Sequence, residues 1–192
     1  MNNKKILWSA FILIALAQLY VPAKMIWNKE DIMESGKDFK FKTAPVDPSD
    51  PFRGKYITLR FDEDKVSVKD KEQWSRNEVI YVSIKTDSDG FVKTIYGSKE
   101  TPTNGQDFLK AKVGYVSRDS LNQIAIEYPF DRFYMEETKA KDAETTYRNT
   151  QLDSTKITYA LVGIKNGEAV LKDVLIDGVS IAEIVEIEEL EN

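Results

Sequence analysis

The chain has no cysteine and no histidine among its 192 residues. Without cysteine there is no disulfide, no thiol nucleophile and no lipidated N-terminal Cys. The redox compartment stays open, because a Cys-free domain folds anywhere. Without histidine the chain lacks the side chain whose unperturbed pKa lies nearest neutrality. Ser-His-Asp and Cys-His catalysis are excluded, and so are nearly all zinc sites. Catalysis would need a carboxylate pair, a Ser-Lys dyad or a metal held by oxygen. A basic patch interleaved with aromatics is missing as well. Beyond residue 24 the chain carries 24 basic and 32 acidic residues, a net −8. Such a surface repels a phosphate backbone, so nucleic acid is not an expected partner, and no cofactor is expected.

What is present is ordinary in amount and uneven in place. Hydrophobic residues at 42% and charged residues at 31% suit a folded domain, and the length suits one domain or two small ones. Much of the apolar content lies in the first 27 positions. Lys4 and Lys5 precede an uncharged run from Ile6 to Val21, and Pro22, Ala23, Lys24, Met25, Ile26 and Trp27 extend its apolar character. A membrane span needs about 20 apolar residues. Residues 6–27 meet that if Lys24 extends its ammonium to the headgroups. Trp8, Tyr20 and Trp27 lie towards the two ends, where amphipathic rings prefer to sit.

A signal peptide cleaved after Ala23 competes with a retained anchor, since Val21 and Ala23 are small. The apolar run is longer than the usual apolar core of about 7–15 residues, which favours the anchor. Both readings export the rest. Lys4 and Lys5 against Lys24, Lys29 and Lys37 give a nearly flat charge bias. The signal-like start and the lack of a second span favour a cytoplasmic N-terminus (residues 1–5) and an extracytoplasmic remainder.

Residues 28–37 are expected to carry the helix or a linker beyond the membrane, stopping at Ser35-Gly36 through the left-handed conformation glycine tolerates. Residues 38–185 read as a mainly antiparallel β domain. Tyr56 to Phe61 alternates, with Ile57, Leu59 and Phe61 on one face. Val79 to Lys85 and Phe91 to Tyr96 flank Asp87-Ser88-Asp89-Gly90, which predicts a hairpin. Phe108 to Val116 and Leu121 to Tyr128 continue the pattern. Ile157 to Ile164 and Glu168 to Ile176 flank Asn166-Gly167, suited to a type I′ turn. Asp177-Gly178 then turns the chain towards Val179 to Ile184. One short polar helix is expected over Thr138 to Arg148, with Ala140, Ala143 and Tyr147 on one face, and residues 186–192 read as an acidic tail. A weak echo repeats Pro51-Phe52 and Tyr56 as Pro129-Phe130 and Tyr134, an offset of 78 that also takes Tyr81 to Tyr159. It suggests a duplicated β unit, with candidate lobes 38–100 and 105–185.

The stretch from Asp47 to Phe61 is the most distinctive. Pro48 and Pro51 fix φ and bias Asp47 and Asp50 to extended geometry, where both can form Asx turns. Gly54 permits a kink before the strand. The plain reading is a rigid entry, with Arg53 pairing a nearby acid. The chain also resembles the GDYXXLXY domain family of membrane-anchored bacterial proteins. The resemblance rests on Val21-Pro22-Ala23, Gly36, Pro45-Val46-Asp47-Pro48, Gly54 to Phe61, Asp131 to Glu137 and Val174 to Gly178. Gly54, Tyr56 and Leu59 match the naming motif, whereas Lys55 replaces its Asp and Phe61 its final Tyr. The resemblance implies an N-terminal anchor in the lipid bilayer, a bacterial source and an exported domain without an established activity. It also implies a multi-pass membrane protein as partner, since family members tend to be encoded beside such proteins.

Candidate chemistry is sparse. Asp62-Glu63-Asp64 could ligate a divalent cation, but three acids after a strand more simply make a solvated turn. Asp87 to Gly90 resembles half a calcium loop, but Lys85 and Tyr96 stand where that loop needs acids. A Ser-Lys hydrolase of the signal-peptidase kind would use Ser35, with Lys55 or Lys65 as base. The Ser-Met of those nucleophiles is missing around Ser35. Arg132, among Phe130, Phe133 and Tyr134, suits a docking site, unless those rings alternate into a core. The expectation is a non-enzymatic accessory or scaffolding module contacting its partner through Arg53, Tyr56, Arg132 and Tyr134. A tethered hydrolase is the alternative and a ligand-sensing domain the third.

Overall fold

The computed structural model describes residues 3–44, 56–103, 105–116, 122–153 and 155–191. The apolar run lies within one helix, α1 (Asn3–Ser35). At 1.5 Å per residue this helix is about 50 Å long. It is long and apolar enough to cross a membrane, and none of its most apolar window is buried against the domain. Only its last turns dock, where Ile32 is 4% exposed.

The helix ends where expected but by another device. Gly36 donates its N–H to the Ile32 carbonyl at 2.9 Å without entering the left-handed region. Its value is the missing side chain. A Cβ on Gly36 would run into the Ile32 carbonyl oxygen and come within 3.2 Å of the Ile164 nitrogen. A Cβ on Gly163 would lie 3.0 Å from the same Ile32 oxygen. Two glycines thus let the helix end press against a strand.

Strands follow at once. β1 (Lys37–Ala44) buries Phe39, Phe41 and Thr43 and exposes the lysines between them, the period of two that a half-buried strand requires. The expected strand from Tyr56 splits into β2 (Tyr56–Thr58) and β3 (Arg60–Phe61). Its alternation holds through the split: Ile57, Leu59 and Phe61 are 1%, 3% and 5% exposed. Then come β4 (Lys65–Ser67), β5 (Val79–Thr86), β6 (Val92–Ser98), β7 (Phe108–Val116), β8 (Gln123–Glu127) and β9 (Arg132–Tyr134). The chain continues through α2 (Glu137–Leu152), β10 (Thr158–Lys165), β11 (Glu168–Ile176), β12 (Val179–Ser180) and α3 (Ile181–Glu191).

The turn chemistry is as the sequence predicts. Asp87 closes the β5–β6 hairpin by accepting the N–H groups of Asp89 and Phe91 at 3.0 and 2.8 Å. Asn166 and Gly167 both take positive φ, 53° and 81°, as a type I′ turn demands. Asp177 and Gly178 do the same at 50° and 90°. α2 is longer than expected but buries the expected face, with Ala140, Ala143 and Tyr147 at most 2% exposed. The C-terminal expectation is corrected. After the two residues of β12 the chain does not stay extended to Ile184; it forms α3, whose far end is exposed at Ile187 and Leu190. Ile181 and Val185, one helical turn apart, are fully buried and pin α3 to the domain.

Named strands pair antiparallel in three sheets: β12-β11-β10-β1-β3, the ribbon β2-β9, and β4-β8-β7-β5-β6. Each five-stranded sheet draws on both halves of the chain, so the candidate lobes do not form separate sheets. The order β6-β5-β7-β8 in one sheet matches β11-β10-β1-β3 in the other. The hairpins share a defect too: the register shifts between Ser83 and Ile84 in one and between Leu161 and Val162 in the other. Between the sheets, Phe41, Phe61, Tyr128 and Phe130 meet with every pair of ring centroids 5.0–5.9 Å apart.

Candidate functional site

The β2–β9 ribbon pairs Tyr56 with Tyr134, Ile57 with Phe133 and Thr58 with Arg132. Alternation decides what it shows to solvent. Ile57 is buried and Phe133 half-buried against the core, so Tyr56, Thr58, Arg132 and Tyr134 share the other face. The Tyr56 and Tyr134 rings lie 5.4 Å apart, and the Arg132 guanidinium carbon sits 4.9 Å from the Tyr56 ring centre. That is cation–π range. Tyr134 is 64% exposed. A hydrogen bond with Tyr134, then the fields of Tyr56 and Asp131, raise the Arg132 pKa above its ordinary value.

Arg132 and Tyr134 are exposed and Tyr56 half-buried, and the base beneath them is firm. The Asp131 carbonyl accepts the Leu59 N–H at 2.8 Å, and Phe130 beside it belongs to the four-ring cluster. The Arg132 segment therefore divides between core and surface. Phe130 is core, at 4% exposure, which removes it from any docking face; Arg132 and Tyr134 face solvent. Leu59 is core as well. Arg53, Asp47, Pro48, Asp50, Pro51 and Gly54 lie outside the described residues.

A second polar constellation joins α1 to the domain. The Ser35 hydroxyl lies 2.8 Å from the Lys165 ammonium, not beside Lys65; Lys55 falls outside the described residues. Lys165 also donates to both Asp31 carboxylate oxygens at 2.7 Å. The two Asp31 oxygens and the Ser35 hydroxyl thus occupy all three donor positions of the Lys165 side chain at the junction. Hydrogen bonds from Lys165 and then Ser35 lower the Asp31 pKa. Ser35 and Lys165 are 130 residues apart, and no local signal links them.

The acidic run after β3 has a structural task. Burial alone would push the Glu63 carboxyl up, but hydrogen bonds from Lys93 and Thr94 outweigh it and hold it below its ordinary value. The Lys93 ammonium lies at 2.7 Å, and the Thr94 N–H and hydroxyl both lie at 3.1 Å. The one hydroxyl proton of Thr94 is shared between Glu63 and the Lys65 carbonyl, which lies at 2.9 Å. β4 and β6 are the outer strands of their sheet, so these bonds bridge its two edges. Among the described residues no three Asp or Glu side chains gather to hold a metal ion.

Residues 18–174 match the family described as GDYXXLXY protein. The chain belongs to the GDYXXLXY family. The match runs from inside α1 into β11, so it covers the helix–domain junction and the ribbon. No curated protein and no solved structure matches the chain. Of the naming motif, Tyr56 stands on the solvent face of the ribbon and Leu59 in the core. Phe61, where the family name has Tyr, packs in the four-ring cluster, and there a ring is what the contacts use.

Proposed function

We propose that this GDYXXLXY protein is a membrane-anchored, extracytoplasmic accessory or scaffolding module of a bacterial cell envelope. Residues 6–27 of α1 are its single span, with the N-terminus cytoplasmic. The β2–β9 face is its docking surface for a multi-pass membrane partner, and the protein performs no catalysis. The observation that carries this reading is the cluster of exposed Arg132 and Tyr134 with half-buried Tyr56 on a firmly packed ribbon. Tyr and Arg dominate binding hot spots because each combines large contact area with hydrogen bonding. The test is co-purification of the full-length protein from its own membranes in mild detergent, with mass spectrometry of what accompanies it. A stoichiometric multi-pass partner, lost on Arg132→Ala or Tyr134→Ala, is the expected result. A solitary protein would overturn the reading.

The Ser35–Lys165 contact favours one alternative, a tethered hydrolase. Against it stands Asp31, whose two carboxylate oxygens both accept from Lys165 and compete with Ser35 for it. Any hydrolytic activity of the purified protein that Ser35→Ala abolished would revive it.

A further inference from the structure

The apolar run of α1 contains two polar side chains, and they are not alike in depth. Ser9 lies near its start, where a hydroxyl can bond back to the helix. Gln18 lies within about 2 Å of the midpoint of residues 6–27, at 1.5 Å per residue. A carboxamide brings two donors and an acceptor to the depth where no water is available. Gln18 is exposed on α1, so the domain does not cover it.

The backbone adds to the mismatch at the same residue. Pro22 sits inside α1 four residues on, where its N–H would have met the Gln18 carbonyl. Proline has no N–H, so that carbonyl loses its helical partner. One residue thus presents both a carbonyl without its usual helical donor and an exposed carboxamide near mid-span. Polar groups in that position mark contacts between transmembrane helices.

The chemistry of the group selects its partner. A carboxamide both donates and accepts, so it is its own complement. Every copy of a single-pass chain carries it at one depth and in one direction. Two parallel copies about a two-fold axis would bring Gln18 opposite Gln18. Each amide could then donate to the other's Oε1 or to the carbonyl left free by Pro22. Phe11, Ile14, Ala15, Val21 and Met25 share that helix face, and Ala15 beside Gln18 permits close approach of the axes. We propose that α1 pairs with α1 of a second copy through Gln18, making the protein a membrane homodimer. This rests on the anchor reading above.

The absence of cysteine makes the test clean, because a single introduced cysteine reports one position. Ile14→Cys and Met25→Cys lie on the Gln18 face, and Leu16→Cys lies opposite. In native membranes, oxidation is expected to cross-link the first two into dimers and to leave Leu16→Cys monomeric. In the Ile14→Cys chain, Gln18→Leu is expected to cut the dimer about five- to tenfold, while Gln18→Asn keeps it. A flat or absent cross-linking profile in protein that resists alkaline extraction overturns the dimer and leaves the anchor standing. Cross-linking from Ile14→Cys to a different protein overturns the second copy as occupant. Protein released by alkali and lacking residues 1–23 overturns the anchor reading and the dimer together.

Discussion

Gly36 and Gly163 meet the same carbonyl oxygen, that of Ile32, from two sides of the place where α1 ends. Neither uses the conformational freedom of glycine; both use its lack of a Cβ. Gly36→Ala drives a Cβ into the Ile32 carbonyl oxygen, a backbone atom that no rotamer change moves aside. It is expected to cost about 1–3 kcal/mol, seen as a lower midpoint in thermal unfolding of the full-length protein. At Gly163 the nearest atom is the flexible end of Lys172, so alanine there should cost less. Glu63 gives the residue-scale pH prediction. Its folded pKa lies below the ordinary 4.5, so its bonds to Lys93 and Thr94 stabilise the fold above that pH. The contribution is lost as pH falls through the depressed value. Glu63→Gln should cost about 1 kcal/mol at neutral pH, allowing for its partial exposure, and should flatten the acid limb of stability against pH. An unchanged acid limb in the variant would assign acid sensitivity to other carboxylates.

At the level of elements, what could be read early was whatever local chemistry decides. Asp87-Ser88-Asp89-Gly90, Asn166-Gly167 and Asp177-Gly178 turn because of their own φ preferences and side-chain bonds. The alternation of Ile57, Leu59 and Phe61 and the α2 face of Ala140, Ala143 and Tyr147 survive because burial follows period. What was hidden depends on partners far along the chain. The split of β2 from β3 reflects two strands claiming neighbouring residues, β9 and β1. α3 was obscured by its acids, although Ile181 and Val185 already had helical spacing. The candidate site shows the same division. Tyr56, Arg132 and Tyr134 stood out as residue types, yet only the pairing of Tyr56 with Tyr134 makes them one surface. The ribbon permits a paired prediction. Ile57→Ala empties a core position and should cost about 2–5 kcal/mol. Tyr134→Ala, on the solvent face, should leave thermal stability nearly unchanged while removing the proposed partner from the co-purified material. If Tyr134→Ala unfolded the domain, the face would be structural and the docking proposal would lose its support.

Across the whole molecule, the two halves of the sequence are interleaved. The hairpin β5–β6 from the first half extends β7 and β8 from the second, and the hairpin β10–β11 from the second extends β1 and β3 from the first. The matching register shifts in the two hairpins give the arrangement an approximate internal symmetry, with the Tyr56–Tyr134 pair between its parts. What recurs between the halves is the spatial order of four strands and the hairpin register shift, and the 78-residue echo does not mark two independent lobes. Each half alone would expose the long edge that the other half covers, and would lose part of the Phe41–Phe61–Tyr128–Phe130 cluster. A protease site placed in the loop between β6 and β7 tests this directly. After cleavage the two pieces should stay together through size exclusion in detergent and separate only in denaturant. Expressed singly, residues 38–100 and residues 105–185 should each lack a cooperative unfolding transition, while mixing them restores one. A cooperative transition in either piece alone would mean that its strands find a different pairing from the exchanged one, and that the covering of one half by the other is not what holds this domain together.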